Sequence, residues 1–172
     1  MRVHSFAPIA AASSEVLILG SMPGRASLLA GEYYAHPRNA FWKIMSELFA
    51  IDAAAPYDHR VATLRKQRIA LWDVLASCTR ATSLDSDIET SSIAVNDFAG
   101  FFRTHERIRS ICFNGARADQ LYRKHVLPDL TGAHELQYQR LPSSSPAHAA
   151  MSHAAKVEAW RAGYAKSRFS SP

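Results

Sequence analysis

Val16-Leu17-Ile18-Leu19-Gly20-Ser21-Met22-Pro23-Gly24 is an apolar run that stops in a tight turn built from two glycines and a proline. The run is too short and too uniformly apolar for an amphipathic helix. It reads as a strand covered on both faces. Ile69 to Val74 and Arg109 to Asn114 read the same way, and Leu136 to Pro142 reads as a fourth short buried strand. Helical spacing fills the gaps between them. Phe41, Ile44, Met45 and Leu48 form one stripe, and Phe98, Phe101 and Phe102 sit in a second helix that Asn96 or Asp97 caps. Ala116 to Val126 and Met151 to Lys166 supply two more helices. Strand alternating with helix predicts a three-layer α/β/α fold with a central, mainly parallel four-stranded sheet, formed by one domain over residues 1–172. In such sheets ligands bind beyond the carboxyl ends of the strands. Function is therefore sought in the residues that follow each strand.

Composition narrows the class. Hydrophobic residues make up 48% and charged residues 20%, an ordinary globular mix. The 20 Lys plus Arg against 15 Asp plus Glu give a formal net charge of +5, which favours a polyanionic partner without excluding a merely basic protein. Two cysteines, Cys78 and Cys112, cannot supply a four-thiolate zinc or iron–sulfur site. Cys112 lies in an apolar run and reads as a core residue. The histidines are scattered without helical metal spacing beside a carboxylate, so no metal is expected. No phosphate-cradling Gly-x-Gly-x-x-Gly or Lys-Ser/Thr loop is present, so no cofactor is expected either. No stretch approaches the roughly 20 apolar residues of a membrane span, and no membrane association is expected. The start, MRVHSFAPIAAASS, lacks the pattern of a secretory signal, which points to a reducing cytoplasm.

The turn after the first strand leads to Tyr33-Tyr34-Ala35-His36-Pro37-Arg38-Asn39-Ala40-Phe41-Trp42. Glycines let a ligand approach the backbone closely, and aromatic rings beside them can stack a flat heterocycle. By spacing alone, tyrosine and tryptophan at a helix start are more often core or staple residues. The whole string, strand then Gly-Ser-Met-Pro-Gly then Tyr-Tyr-Ala-His-Pro-Arg-Asn-x-Phe-Trp, resembles the first motif of the uracil-DNA glycosylase superfamily. It is most similar to the mismatch-specific uracil/thymine branch and to the hypoxanthine-DNA glycosylase branch. In the mismatch-specific branch the third residue of the turn is a catalytic Asn; here it is Met22, which cannot position a water. In the hypoxanthine branch the Asn of His-Pro-Arg-Asn is the catalytic amide, and it matches Asn39. The resemblance therefore favours the hypoxanthine branch.

The last strand leads into Leu141-Pro142-Ser143-Ser144-Ser145-Pro146-Ala147-His148. Serines between prolines make a rigid loop with hydroxyl and N–H donors suited to phosphate. A solvated turn is the ordinary alternative. The segment resembles the superfamily's second motif, which enters the minor groove, although a catalytic His of some branches is replaced by Leu141. His148 contacts phosphate or simply faces solvent.

Two middle strands end in polar residues. Asp73 closes an apolar run and needs partners, or its pKa rises. It resembles the place of a base-reading Asn in related enzymes; capping the next loop is the alternative. Asp85 and Asp87, in Ser83-Leu84-Asp85-Ser86-Asp87-Ile88, read as groups that bind amides and order their loop; a metal site is the weaker alternative, because the glycine and distant glutamate of a calcium loop are absent. Asn114 precedes Gly115 and a helix, where it either caps that helix or presents a paired donor and acceptor to a base. The resemblance implies the second role.

The implied activity is that of a monofunctional DNA glycosylase acting on deoxyinosine in base excision repair. The target nucleotide turns out of the duplex, Tyr34 stacks on its base, and N–H groups around Ser21 and Met22 bond the base oxygen or N7. Asn39 orients the attacking water. No Lys sits at the matched water-positioning place, so no Schiff base is expected. Gly24, Arg25, Arg38, Ser143, Ser144, Ser145 and His148 are expected to contact DNA, and Lys43, Arg140, Lys156 and Arg161 are further phosphate candidates. The expected partner is double-stranded DNA carrying deaminated bases, with single strands left open. The protein is expected to work as a monomer at the nucleoid. A mismatch-specific uracil/thymine glycosylase, a non-catalytic lesion-binding protein and an unrelated small-molecule α/β enzyme are the alternatives.

Overall fold

A computed structural model describes residues 1–130 and 135–169. The elements run β1 (Arg2–His4), β2 (Val16–Gly20), α1 (Arg25–Ala30), α2 (Phe41–Phe49), α3 (Tyr57–Lys66), β3 (Ile69–Asp73), β4 (Leu75–Thr79), β5 (Ala94–Val95), α4 (Phe98–Thr104), β6 (Ser110–Asn114), α5 (Ala116–His125), β7 (Gln137–Leu141) and α6 (His153–Phe169). The four expected strands are present as β2, β3, β6 and β7. They form one parallel sheet in the order β3-β2-β6-β7. Val16 stands level with Ile69 on one side and Ser110 on the other, so all the strands start together and end together.

Side chains of a strand alternate between faces, and here both faces are buried. Leu17 and Leu19 of β2, Ala70 and Trp72 of β3, and Ile111 and Phe113 of β6 enter one core cluster. Val16 and Ile18, Ile69 and Leu71, and Cys112 enter the other. The first cluster is closed by Phe98 and Phe101 of α4 and by Ala118, Leu121 and Tyr122 of α5. The second is closed by Phe41, Ile44 and Met45 of α2, Val61 and Leu64 of α3, and Val157 and Trp160 of α6. The result is the expected three-layer arrangement. Each fully buried Leu or Ile contributes roughly 1.5–3 kcal/mol.

A second sheet was not expected. β1, β4 and β5 pair antiparallel in the order β1-β4-β5, with Val3 opposite Cys78 and Ser77 opposite Ala94. Only Val74 separates β4 from β3, so one continuous apolar stretch serves two sheets. β1 buries Val3 alone between exposed Arg2 and His4, which is too short an alternation to register. The helices α1 and α3 were likewise unexpected; α3 buries only Val61 and Leu64. At α4 the choice of cap resolves to Asp97, whose Oδ1 accepts from the Gly100 N–H at 2.8 Å. Asn96 instead donates through Nδ2 to the Asp73 carbonyl at 2.8 Å.

Candidate active site

The ends of β2, β3, β6 and β7 open together on a cavity of about 740 Å³. Four segments of the sequence converge there: the Gly20–Gly24 turn, the Tyr33–Asn39 string, the strand-end residues Asp73 and Asn114, and the Ser143–His148 loop. A fifth, Ser83–Ser86, was read from sequence only as an ordered loop and supplies one more wall. The volume suits a nucleobase with part of its sugar.

The back wall depends on Gly20. A Cβ there would stand 2.6 Å from Asp73 Oδ1 and 3.1 Å from the Tyr34 hydroxyl, so only glycine lets the two side chains meet the end of β2. Asp73 is buried, and its Oδ2 accepts from the Ser5 hydroxyl at 2.8 Å. Burial pushes its pKa up to about 7; the Ser5 hydrogen bond opposes the shift and Asp85 adds to it. The carboxyl group therefore holds a proton part of the time near neutral pH and can give a hydrogen bond as well as take one.

Tyr34 lies against Phe41, with ring centroids 4.1 Å apart and planes 20° from parallel. Phe41 thus covers one face of the ring, and Tyr34 stands on the cavity lining. Its φ of 56° is left-handed, an uncommon state for a residue with a bulky side chain. Its hydroxyl is buried between Asp73 and the Asn114 amide. Burial and the neighbouring carboxylate hold that hydroxyl in its neutral form. Tyr33 and Trp42, by contrast, are core residues: both are buried, and Trp42 Nε1 donates to the Tyr33 carbonyl at 2.9 Å.

Asn39 ends a turn closed by its own N–H to the His36 carbonyl at 2.8 Å. Its Oδ1 accepts from the Phe41 N–H at 3.0 Å, an Asx turn leading into α2. An amide oxygen has two acceptor sites, so one remains, and the side-chain NH₂ makes no bond among the described residues. The next residue ties the two motif loops together, because the Ala40 N–H donates to the Ser144 carbonyl at 2.9 Å.

Asn114 lines the cavity and does not cap α5, the first of its two expected roles. The cap position of α5 is Gly115, at φ +100°, and no side chain caps that helix. Asn114 instead exchanges two hydrogen bonds with Ser144: Nδ2 donates to Oγ and Oδ1 accepts from the N–H, each at 2.8 Å. One N–H and one acceptor site of the amide remain.

The loop after β7 is held at several points. Trp160 Nε1 donates to the Pro142 carbonyl at 2.8 Å. Ser145 N–H donates to Ser143 Oγ at 3.1 Å, and Ala147 N–H to Ser145 Oγ at 3.2 Å. These bonds correct the expectation for Ser144. It is buried with its N–H and hydroxyl turned inward, so it fixes the loop and is not available to phosphate. Ser143 and Ser145 also line the cavity, and each hydroxyl, used as an acceptor within the loop, still has its proton to donate. His148 is exposed at the rim, and its carbonyl accepts from Lys156 Nζ at 2.8 Å. Lys156 is thereby withdrawn from the list of phosphate candidates: it is buried and its ammonium is engaged. Arg25 is exposed on the cavity lining; Arg38 is exposed but outside the lining.

The wall from the antiparallel sheet is the part sequence reasoning missed. Ser21 Oγ donates to Asp85 Oδ1 at 2.7 Å, and the Arg25 N–H to Ser83 Oγ at 2.9 Å. Buried Arg80 donates through Nη2 to the Pro23 carbonyl. Burial raises the Asp85 pKa, and the Ser21 hydroxyl opposes that shift. The alternating polar residues of Ser83–Asp87 were the one available signal. Met22 is buried at the turn and lines the cavity, where an amide would be needed for a water-positioning role. Among the described residues, no group of three or more His, Cys, Asp or Glu is placed to hold a metal. No helix among them is long and apolar enough to cross a membrane.

A parallel sheet whose strand ends meet in a base-sized cavity, lined by amides, a buried carboxyl group and an aromatic ring, defines an enzyme of the nucleobase-handling α/β/α class. The chain belongs to the uracil DNA glycosylase superfamily, whose family model matches residues 7–164. It is thus a DNA glycosylase, with DNA as its substrate. It is 35% identical over 130 residues to a protein named hypoxanthine DNA glycosylase from Methanosarcina acetivorans, across 70% of this chain and 81% of that protein. A protein of the same name from Methanosarcina barkeri is 31% identical over 121 residues, across 70% of this chain and 75% of that one. Among solved structures, an NMR structure of a candidate uracil DNA glycosylase from Methanosarcina acetivorans is similar with a TM-score of 0.76. It is 30% identical and covers 95% of this chain and 99% of its own.

Proposed function

We propose that this chain hydrolyses the N-glycosidic bond of deoxyinosine in DNA and releases hypoxanthine, without a covalent intermediate. The observation that carries the reading is the convergence of Asn39, Tyr34, Asp73 and Asn114 on one cavity at the sheet's carboxyl edge. The target base must leave the duplex to reach it, at a cost of roughly a few kcal/mol. Hypoxanthine pairs poorly with thymine, so its rotation costs less than that of a well-paired adenine.

Inside the cavity the base rests on the free face of Tyr34. The N–H groups around Ser21 and Met22 bond its oxygen or N7. Asn114 offers its remaining donor and acceptor, which suits the adjacent N–H and carbonyl of hypoxanthine. Protonated Asp73 gives a hydrogen bond to the departing base, whose negative charge grows as the bond breaks. Asn39, held by the Phe41 N–H, points its second acceptor site at a water and its dipole at the cationic sugar. The names of the two archaeal relatives support the choice of base. Met22 supports it too, since the mismatch-specific branch needs an amide at that place.

The test is base release from duplexes carrying one deoxyinosine, deoxyuridine, deoxyxanthosine or thymine mismatch. Release of hypoxanthine ahead of the others is expected. Release from deoxyuridine alone would replace this reading with a uracil glycosylase, and binding to deoxyinosine duplexes without release would make the protein a lesion binder.

A further inference from the structure

Three peptides of the Gly20–Gly24 turn have their carbonyls held by donors outside the turn. The Val74 N–H donates to the Gly20 carbonyl at 2.9 Å, and the Leu75 N–H to the Ser21 carbonyl at 3.1 Å. The Pro23 carbonyl accepts from a side chain, Arg80 Nη2. In a trans peptide the N–H points opposite to the carbonyl. The N–H groups of Ser21, Met22 and Gly24 are therefore aimed away from these donors, and all three residues line the cavity. Any sequence supplies the two main-chain donors. The third depends on the side chain at position 80.

Arg80 is costly to keep there. It is 4% exposed, and its Nη1 is buried without an acceptor among the described residues. A buried cation short of acceptors lowers stability, and departures of that kind concentrate at functional sites. Its main chain is held in place: the Arg80 N–H donates to the Met1 carbonyl at 3.2 Å, and the residue bridges to Ile88. Its charge acts on two carboxyl groups, Asp85 and Asp73. Asp85 accepts from the Ser21 hydroxyl at 2.7 Å and also faces Arg117 of α5. Asp73 also faces Ser5 and the hydroxyls of Tyr33 and Tyr34.

We propose that Arg80 is a positioning residue for base release: it fixes the Pro23–Gly24 peptide, as Val74 and Leu75 fix two others of the turn, and sets a positive charge behind the turn where the departing base becomes negative. The proposal rests on the reading of the chain as a deoxyinosine glycosylase. A preset charge at that place favours the transition state over the bound substrate, so the effect falls on release and not on affinity. Arg80 opposes the raised pKa of Asp73, and Asp85 adds to it. Without the Arg80 charge Asp73 keeps its proton to higher pH; without the Asp85 charge it gives the proton up at lower pH.

The test compares wild type, Arg80→Lys, Arg80→Met and Asp85→Asn on a duplex carrying one deoxyinosine. Arg80→Met is expected to slow single-turnover release roughly tenfold or more while the duplex dissociation constant stays within about threefold. Arg80→Lys keeps the charge without the planar fork and is expected to recover part of the rate. Undiminished release by Arg80→Met, or a loss confined to affinity, would overturn the proposal. A second arm needs no lesion and no turnover. The carbon-13 signal of the Asp73 carboxyl group is titrated in the free proteins across about pH 4 to 9. Its midpoint is expected above the wild-type value in Arg80→Met, near it in Arg80→Lys and below it in Asp85→Asn. A purely structural role gives no such opposed shifts, so midpoints that stay put, or move the same way in Arg80→Met and Asp85→Asn, would overturn the proposal. If Arg80→Met unfolds, Arg80→Lys decides the first arm, where a wild-type rate overturns the proposal, and Asp85→Asn decides the second. Wild type inactive on every lesion would instead sink the functional reading, while opposed midpoints would still set the charge of Arg80 at the pocket.

Discussion

Asn114 and Ser144 exchange two hydrogen bonds, each of 2.8 Å, between the end of β6 and the loop that follows β7. The base pocket and the serine loop are therefore one mechanical unit. Asn114→Ala breaks both bonds and is expected to cost about 2 kcal/mol of stability, against about 1 for Ser144→Ala, which keeps the backbone N–H bond. Asn114→Asp separates positioning from base reading. Its carboxylate still accepts from the Ser144 N–H and from a reversed hydroxyl, but it offers no N–H to a base. Stability near wild type with strongly reduced release of hypoxanthine is expected. Thermal unfolding alongside single-turnover kinetics checks it, and undiminished release would return Asn114 to loop positioning alone.

Asn39→Ala is expected to slow base release by about 10²–10³-fold while DNA binding stays near wild type. The same change removes the bond from the Phe41 N–H, so about 1 kcal/mol of stability goes with it. Fluorescence anisotropy with lesion duplexes and a base-release assay measure the two separately. Wild-type turnover in this variant would mean that another group handles the water.

Gly20→Ala places a methyl group 2.6 Å from Asp73 Oδ1, where Gly24→Ala meets only Ser83 Cβ at 4.0 Å. The first is expected to destabilise the fold by about 1–3 kcal/mol and to deform the pocket, the second to shift stability by about 0.5 kcal/mol at most. Urea midpoints of the two variants give the comparison, and equal midpoints would contradict a closely packed back wall.

Asp73 has an ordinary value of 3.8, raised on folding to about 7 because it is buried. Between those two values the folded chain keeps a proton that the unfolded chain has lost. The contribution of Asp73 to stability is thus fully present at low pH and lost as pH rises toward 7, on the order of a few kcal/mol. Stability of wild type relative to Asp73→Asn is expected to fall from pH 4.5 to pH 7 and then level off. Urea unfolding across that range tests it. A difference that rises with pH would show the carboxylate to be the form the fold prefers.

The sequence determined the parallel sheet by itself. Val16 to Leu19 has no polar face, and only a strand covered on both sides needs none. The same holds for β3 and β6, so the strand ends, and with them Gly20, Asp73 and Asn114, were located before any coordinates. Helix α2 was legible because its apolar residues recur at helical spacing. Tertiary structure decided what depends on partners far along the chain. Arg2 to His4 is a strand only because residues 77–79 lie beside it. The buried Asp73 carboxyl group finds its hydrogen-bond donor in Ser5, far back along the chain. Ser144 reads in the sequence as a surface donor, and in the structure Asn114 claims it. Periodicity records which face of an element meets the core. A hydrogen bond between residues dozens of positions apart leaves no period in the sequence.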